Sequence, residues 1–156
     1  MKKLLSVIIP VYNVEKYIER CLDSLLISQE QFKCLDIVII NDGTKDNSAI
    51  IAKEYEKKYP EVIRVIDQEN RGHGGAWNHG TELAIGKYCF YLDSDDWVTT
   101  NQFEQLVEQL KSNDTDLVFI NSQTYYAATD SYVKHNIINL IPNRVYDLDV
   151  FDWIHT

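Results

Sequence analysis

Three carboxylates that follow an apolar segment are the strongest chemical signal in this chain. The apolar run from Tyr88 to Leu92 predicts a buried strand, and Asp93, Asp95 and Asp96 come directly after it. Burying an unpaired carboxylate is costly, so three of them at a strand end need a partner. Residues i and i+2 of an extended segment point the same way, which lets Asp93 and Asp95 share one target. The pattern favours Mg²⁺ or Mn²⁺, because such ions are held by one or two carboxylates together with phosphate oxygens and waters.

Length, composition and charge narrow the class of protein. The chain has 156 residues, enough for one domain with a full core, and its hydrophobic fraction of 45% is ordinary for a globular protein. A net charge of −9 argues against a nucleic-acid partner, which needs a basic face. No cluster of lysine and arginine lies near the Asp93 run, so a diphosphate bound there would need a bridging cation.

Cysteine usage and hydropathy bear on location. Cys21, Cys34 and Cys89 are odd in number and lie in apolar contexts, which predicts reduced core thiols in a cytosolic protein. No apolar run is long enough to predict a transmembrane segment.

The chain alternates strand and helix patterns, and these elements must position the carboxylates. Apolar, β-rich runs predict strands at 5–11, 36–40, 62–66, 87–92 and 116–121, and a hairpin from 123–127 and 132–138. Apolar spacing predicts helices at 14–26, 48–59, 76–85, 103–110 and 148–154. Asn13 is the expected cap of the first helix, the helix at 103–110 is expected to be capped near Thr100 or Asn101, and Gly86 is the expected stop of the helix at 76–85.

This alternation predicts an α/β fold, a doubly wound, mostly parallel sheet with helices on both faces. Ligands of such sheets bind at the carboxyl ends of the strands, near the point where the strand order reverses. If the order is 3-2-1-4, Tyr12 and Asp93 face each other across one crevice. Polar residues also follow the second and third strands, at 41–44 and 67–72.

Four ordered motifs then resemble the family 2 glycosyltransferases. They are SVIIPVYN at 6–13, NDGT at 41–44, NRGHGG at 70–75 and LDSDD at 92–96. The resemblance implies the GT-A (Rossmann-like) fold and an inverting hexosyl transfer from a nucleotide-diphosphate sugar, in the first place a UDP-sugar. It also implies a saccharide or lipid-linked acceptor, assistance by Mg²⁺ or Mn²⁺, and a part in polysaccharide biosynthesis for the cell envelope. The implied location is the cytoplasm or, for a full-length protein, the inner face of the membrane.

The resemblance further implies roles for individual residues. The implied nucleotide-sugar contacts are Pro10, Val11, Tyr12, Asn13, Asp42, Arg71, Gly72, Asp93 and Ser94, and the implied metal ligands are Asp95 and Asp93. Asp42 would contact the base or the ribose through a charge-assisted hydrogen bond. Arg71 would lie near the base and phosphates. Trp77 stands where the family often has an arginine.

Each of these features also has a structural interpretation. The run 93–96 can cap the following helix, residues 42–44 can form a plain turn, and Tyr12 can simply pack. His73 is interpreted as a structural or solvated loop histidine, and Trp77 and Trp97 as packing or rim residues rather than sugar platforms.

The family's catalytic base lies beyond the Asp-x-Asp pair, and the chain shows no counterpart of it. We therefore expect residues 1–156 to form a single nucleotide-sugar-binding domain, truncated at its C-terminus, that binds the donor without transferring sugar. The alternative is a noncatalytic nucleotide- or sugar-binding module of the same fold.

Overall fold

The computed structural model describes residues 2–118, 120, 122–126 and 128–135. The chain divides into two compact units, the first ending at Asn113 and the second beginning at Asp114. The first unit carries every motif described above.

A four-stranded parallel sheet forms the centre of the first unit. Its strands are β1 (Leu5–Val11), β2 (Leu35–Asn41), β3 (Ile63–Asp67) and β4 (Tyr88–Tyr91), in the order β3-β2-β1-β4. This confirms the four predicted strands, and the order is the one under which Tyr12 and Asp93 are expected to face each other. Val11 pairs with Asn41, and Asn41 pairs with Asp67, so the carboxyl ends of three strands meet at one edge of the sheet.

Five helices accompany the sheet: α1 (Ile18–Ser24), α2 (Gln29–Phe32), α3 (Ser48–Lys58), α4 (Gly72–Leu83) and α5 (Thr100–Lys111). The prediction for α3 is confirmed to within one residue. Helix α5 buries Phe103, Val107 and Leu110, the spacing from which it was predicted. The four residues of α2 were not predicted, because so short a helix has no periodicity to detect.

Strand β4 corrects one expectation. Strands β1 and β2 are buried along their whole length, as continuous apolar runs require, but β4 alternates between half-buried and exposed residues. The reason is that β4 pairs with β1 alone and is the edge of the described sheet. Cys89 on β4 is therefore exposed and is not a core thiol. Cys34 is half-buried and Cys21 is buried, and all three are free.

The first helix also differs from the prediction, because it begins at Ile18 and Asn13 does not cap it. Asn13 has a left-handed backbone with φ of 55°. Its side-chain oxygen instead accepts a hydrogen bond from the Lys45 amide at 2.9 Å and lies 3.2 Å from the Thr44 hydroxyl oxygen. The residue therefore joins two loops rather than starting a helix.

Helix α4 begins four residues earlier than predicted and takes in the glycine-rich run at 72–75. Its C-cap is Ala84, so Gly86 does not stop it. Gly86 is required for a different reason, since a Cβ there would lie 2.5 Å from Ser6 N and 2.8 Å from Leu5 C. Gly80 lets the same helix approach the sheet, because a Cβ at that position would meet Ile8 Cγ2.

The described part of the second unit contains an antiparallel hairpin. Its strands are β5 (Ser122–Tyr126) and β6 (Ser131–His135), close to the predicted positions. Residues 116–118 and 120 form no strand, so the predicted fifth strand is wrong for the residues that are described there. The predicted helix at 148–154 lies outside the described residues.

Candidate functional site

A cleft of about 510 Å³ opens at the carboxyl ends of β1, β2 and β4. The residues that line it are Pro10, Val11, Tyr12, Val14, Asp42, Asn70, Gly72, His73, Asp93, Ser94 and Asp95. Eight of the ten residues singled out from the sequence are among them, and Tyr12 and Asp93 share the cleft as the strand order requires. Asn13 and Arg71 are not in the lining, whereas Val14, Asn70 and His73 are additions.

Tyr12 forms one side of the cleft and is 44% exposed, although Val11 before it is fully buried. Its position depends on the following residues, which are bonded to the loop after β2. The Asn13 amide donates to Thr44 Oγ1 at 2.7 Å, and the Val14 amide donates to Ser48 Oγ at 2.9 Å. The loop that carries Tyr12 is thus fixed to a neighbouring strand end.

Asp46 lies at the centre of this joint, which we call the loop clasp (Asn13, Glu15, Thr44, Asp46 and Ser48). Its carboxylate accepts hydrogen bonds from the Glu15 amide at 2.9 Å, the Thr44 hydroxyl at 2.8 Å, the Ser48 amide at 3.0 Å and the Ser48 hydroxyl. Desolvation favours the protonated acid, but the hydrogen bonds from Ser48, Glu15 and Thr44 outweigh it and lower the pKa of Asp46 to about 2.

Asp42 is 3% exposed and lies at the floor of the cleft. Its Oδ1 accepts two hydrogen bonds, from Gln68 Nε2 at 2.7 Å and from the backbone amide of Arg71 at 2.7 Å. Arg71 is the N-cap of α4 and is exposed to solvent. It therefore supports Asp42 through its backbone, and its side chain is not part of the cleft lining.

Asp93, Ser94 and Asp95, which follow β4, also line the cleft. Asp93 Oδ1 is buried and has no hydrogen-bond partner among the described residues. His73 Nε2 lies 3.2 Å from it, an ion-pair distance without hydrogen-bond geometry. Partial burial, and then the charges of Asp95 and Asp93, raise the pKa of Asp96. A cation bound at this point would satisfy the Asp93 oxygen and offset the crowded negative charges.

His73 was interpreted as a loop histidine, but it lies in the first turn of α4 and faces the cleft. Its ring packs against Trp77 at a tilt of 57° with centroids 4.3 Å apart, and the Trp77 ring in turn lies 5.3 Å from that of Tyr91. Trp77 is thus a packing residue that supports the rim, in line with its sequence interpretation. The start of α4 could not be detected from the sequence, because the helix opens with a glycine-rich run. His73 was therefore expected in a loop.

The sheet order, with a cleft at the strand ends, is that of a doubly wound α/β domain, and its similarity to solved structures makes it a GT-A-type domain. The crystal structure of S. aureus TarS 1–349 in complex with UDP-GlcNAc is similar, with a TM-score of 0.62 and 27% identity over 69% of this chain and 31% of that one. The mannosyltransferase PcManGT from Pyrobaculum calidifontis has the same fold at 20% identity and a TM-score of 0.58.

The model of the family described as Glycosyl transferase family 2 matches residues 6–155, and the chain belongs to this family. The uncharacterized glycosyltransferase EpsJ of Bacillus subtilis strain 168 is 42% identical over 118 residues, which are 76% of this chain and 33% of EpsJ. The glycosyltransferase GlyA of Streptococcus pneumoniae serotype 4 is 33% identical over 92% of this chain and 20% of GlyA. The chain therefore spans a third or less of the length of these two relatives.

Proposed function

We propose that this chain is the donor-binding part of an inverting glycosyltransferase that uses a nucleotide-diphosphate sugar. One observation carries the proposal: the sheet brings Tyr12, Asp42 and the Asp93 run from three different strand ends into one cleft. An exposed aromatic ring, a buried acceptor and a carboxylate pair suit the base, the nucleoside polar groups and the diphosphate of one ligand.

A UDP-sugar is the donor that we propose. Tyr12 offers its exposed ring to the base, and Asp42 accepts a hydrogen bond from the base or the ribose. Val11, Asn70 and Gly72 complete the cleft around them. The TarS structure with UDP-GlcNAc supports this choice, because it combines the same fold with 27% identity.

Mg²⁺ or Mn²⁺ is the proposed cofactor, held by Asp95 and Asp93. The orphaned Asp93 Oδ1 and the raised pKa of Asp96 fit such a cation. No group of three or more histidine, cysteine or acidic side chains in the described part of the chain is arranged as a complete metal site. Two carboxylates and the donor phosphates would therefore share the ion, which stabilises charge on the departing diphosphate when it is bound.

Transfer with inversion needs a general base within reach of the acceptor hydroxyl. The carboxylates that line the cleft are Asp42, Asp93 and Asp95, and each has a donor or metal role in this proposal. The base, and the binding site of a saccharide or lipid-linked acceptor, are therefore assigned to residues outside the described cleft.

No helix within the described residues is long and apolar enough to cross a membrane. The free thiols fit the reducing cytoplasm.

A nucleotide screen tests the proposal. The melting temperature is measured with UDP, GDP, CDP and ADP, each with Mn²⁺ or with EDTA. A ligand at one hundred times its Kd stabilises the folded state by about 2.7 kcal/mol, enough for a shift of several degrees. UDP with Mn²⁺ is expected to give the largest shift. The absence of a shift with every nucleotide would overturn the proposal, and hydrolysis of a UDP-sugar by the chain would exclude the noncatalytic module.

A further inference from the structure

We propose that Gln68 and His79 are positioning residues that orient the Asp42 carboxylate toward the nucleotide, an inference that rests on the proposed function. Gln68 Nε2 donates to Asp42 Oδ1 at 2.7 Å, and Gln68 Oε1 lies 2.6 Å from His79 Nδ1. The three side chains form a continuous hydrogen-bonded relay. Neither Gln68 nor His79 lines the cleft, so they act on a ligand through Asp42.

The backbone brings the relay together. Asn41 and Asp67 are paired at the ends of β2 and β3, and Asp42 and Gln68 are the residues that follow them. The backbone amide of Gln68 extends the hydrogen bonding between β2 and β3 by donating to the Asn41 carbonyl at 2.9 Å. His79 comes from α4, whose N-cap amide at Arg71 binds the same Asp42 oxygen. The carboxylate is thus bonded to the residue after β3 and to the N-cap of α4, and His79 on α4 is bonded to Gln68.

The direction of each proton in the relay is fixed by chemistry. A carboxylate can only accept, so the Gln68 side chain must turn its NH₂ group toward Asp42. Its carbonyl oxygen then faces His79, and Nδ1 of that ring must carry a proton in order to donate. One tautomer of His79 and one orientation of the Gln68 amide are therefore selected together.

The two carboxylate oxygens of Asp42 differ in their hydrogen-bond partners. Oδ1 accepts from Gln68 and Arg71, and within the described residues no protein donor reaches Oδ2. Since Asp42 is buried and lines the cleft, Oδ2 is the acceptor left for a ligand N–H or O–H group. A preorganised acceptor loses little conformational freedom when the ligand binds, and a carboxylate without Gln68 could turn away.

The tautomer of His79 is the first test. ¹⁵N NMR of the ligand-free protein at pH 8, assigned with His79→Phe, is expected to show a protonated Nδ1 and an unprotonated Nε2. Gln68→Leu should abolish this preference, while Gln109→Leu on the exposed surface of α5 should keep it. An unprotonated Nδ1 in the wild-type protein would overturn the relay.

A double-mutant cycle is the second test, with UDP affinity measured by calorimetry in Mn²⁺. Gln68→Leu is expected to weaken binding about tenfold, and His79→Phe about threefold, as for lost hydrogen bonds. His79→Gln, which can still donate, should restore most of the loss. In an Asp42→Ala background Gln68→Leu should change the affinity less than about twofold, because its effect passes through Asp42.

Equal losses from Gln68→Leu in both backgrounds would show a general structural effect and refute the relay. Failure of the wild-type protein to bind any nucleotide is a different outcome, because it rejects the proposed function. In that case the His79 tautomer alone decides whether the hydrogen-bonded chain exists. The Gln109→Leu variant is the matched control for both measurements.

Discussion

The backbone amide of Arg71 donates a hydrogen bond of 2.7 Å to Oδ1 of Asp42. This contact joins the start of α4 to the end of β2 and leaves the arginine side chain outside the cleft lining. The family resemblance implies that Arg71 lies near the base and phosphates. In the structure its contact with Asp42 is made by the backbone and not by the side chain. The same hydrogen bond determines how the side chain of a substituted residue at position 42 must be oriented.

Asp42→Asn should weaken UDP binding by about 1–3 kcal/mol, the range for a lost hydrogen bond to a charged group. Two donors, from Gln68 and Arg71, require an acceptor on their side. The asparagine must therefore turn its oxygen toward them and its NH₂ group into the cleft, which reverses the hydrogen-bond polarity offered to the ligand. Calorimetry with UDP and CDP measures the effect.

The same comparison distinguishes the two contacts open to Asp42. If it binds the base, the preference for UDP over CDP should shrink in Asp42→Asn, because the two pyrimidines differ in donor and acceptor at the same ring edge. If it binds the ribose, both ligands should weaken equally. The Mn²⁺ dependence should persist either way, and its loss would contradict the separate roles of Asp42 and the Asp93 run.

Asp95→Ala should remove the metal dependence of UDP binding and leave the fold intact. Asp95 is an exposed residue of the cleft, so its replacement costs little stability, but the cation loses one of two protein ligands. The measurement is UDP affinity with Mn²⁺ and with EDTA. Glu54→Ala, an exposed carboxylate change on α3, is the control that should keep the difference. Wild-type affinity that is equal with and without metal would reject the cofactor.

The sheet could be predicted because its two central strands are fully buried, and continuous apolar runs such as Val7–Ile9 and Ile37–Ile40 have few other interpretations. The strand order then brought Tyr12 and Asp93 together without any side-chain information. The polar motifs marked the strand ends, where the cleft formed.

The parts that sequence reasoning missed depend on contacts between distant residues. Asn13 looks like a helix cap, but Thr44 and Lys45 occupy its side chain. Gly72 looks like a loop residue, but it opens α4 with a φ of 74°. His79 lies in no motif, and its place in the relay depends on Gln68, eleven positions earlier along the chain, and on the pairing of β2 with β3. Such relations appear only after the elements are packed.

Gly86→Ala should destabilise the protein by about 1–3 kcal/mol, the usual cost of overpacking. The added Cβ would lie 2.5 Å from Ser6 N and 2.8 Å from Leu5 C, and backbone atoms of a central strand cannot give way. Gly74→Ala is the matched control, since a Cβ there meets nothing within 4 Å and its backbone needs no left-handed φ. Alanine in a helix should leave stability unchanged or raise it by up to about 1 kcal/mol. Urea unfolding of both variants checks the pair, and equal losses would contradict the packing argument.

Asp46 should give the loop clasp an acid-sensitive contribution to stability. Hydrogen bonds from Ser48, Glu15 and Thr44, working against desolvation, lower its pKa from 3.8 to about 2 in the folded protein. A depressed folded-state pKa means that the stabilisation is complete above pH 4 and is lost as the pH falls from about 4 to about 2. In that window the unfolded chain binds the proton before the folded one does, so acid favours unfolding.

Asp46→Asn should therefore lower the free energy of unfolding by about 1–2 kcal/mol at pH 7 and by clearly less at pH 2.5. This is the range for hydrogen bonds to a charged group, reduced because Asp46 is partly exposed to solvent. The measurement is the difference in free energy of unfolding between variant and wild type at pH 7, 4, 3 and 2.5, because other carboxylates titrate in both proteins and cancel. Glu54→Gln, which removes an exposed carboxylate on α3, should give a difference near zero throughout. UDP affinity of Asp46→Asn at pH 7 should also fall, since the clasp holds the loop that presents Tyr12. A stability difference that stays constant from pH 7 to pH 2.5 would show that the Asp46 charge does not hold the two loops together.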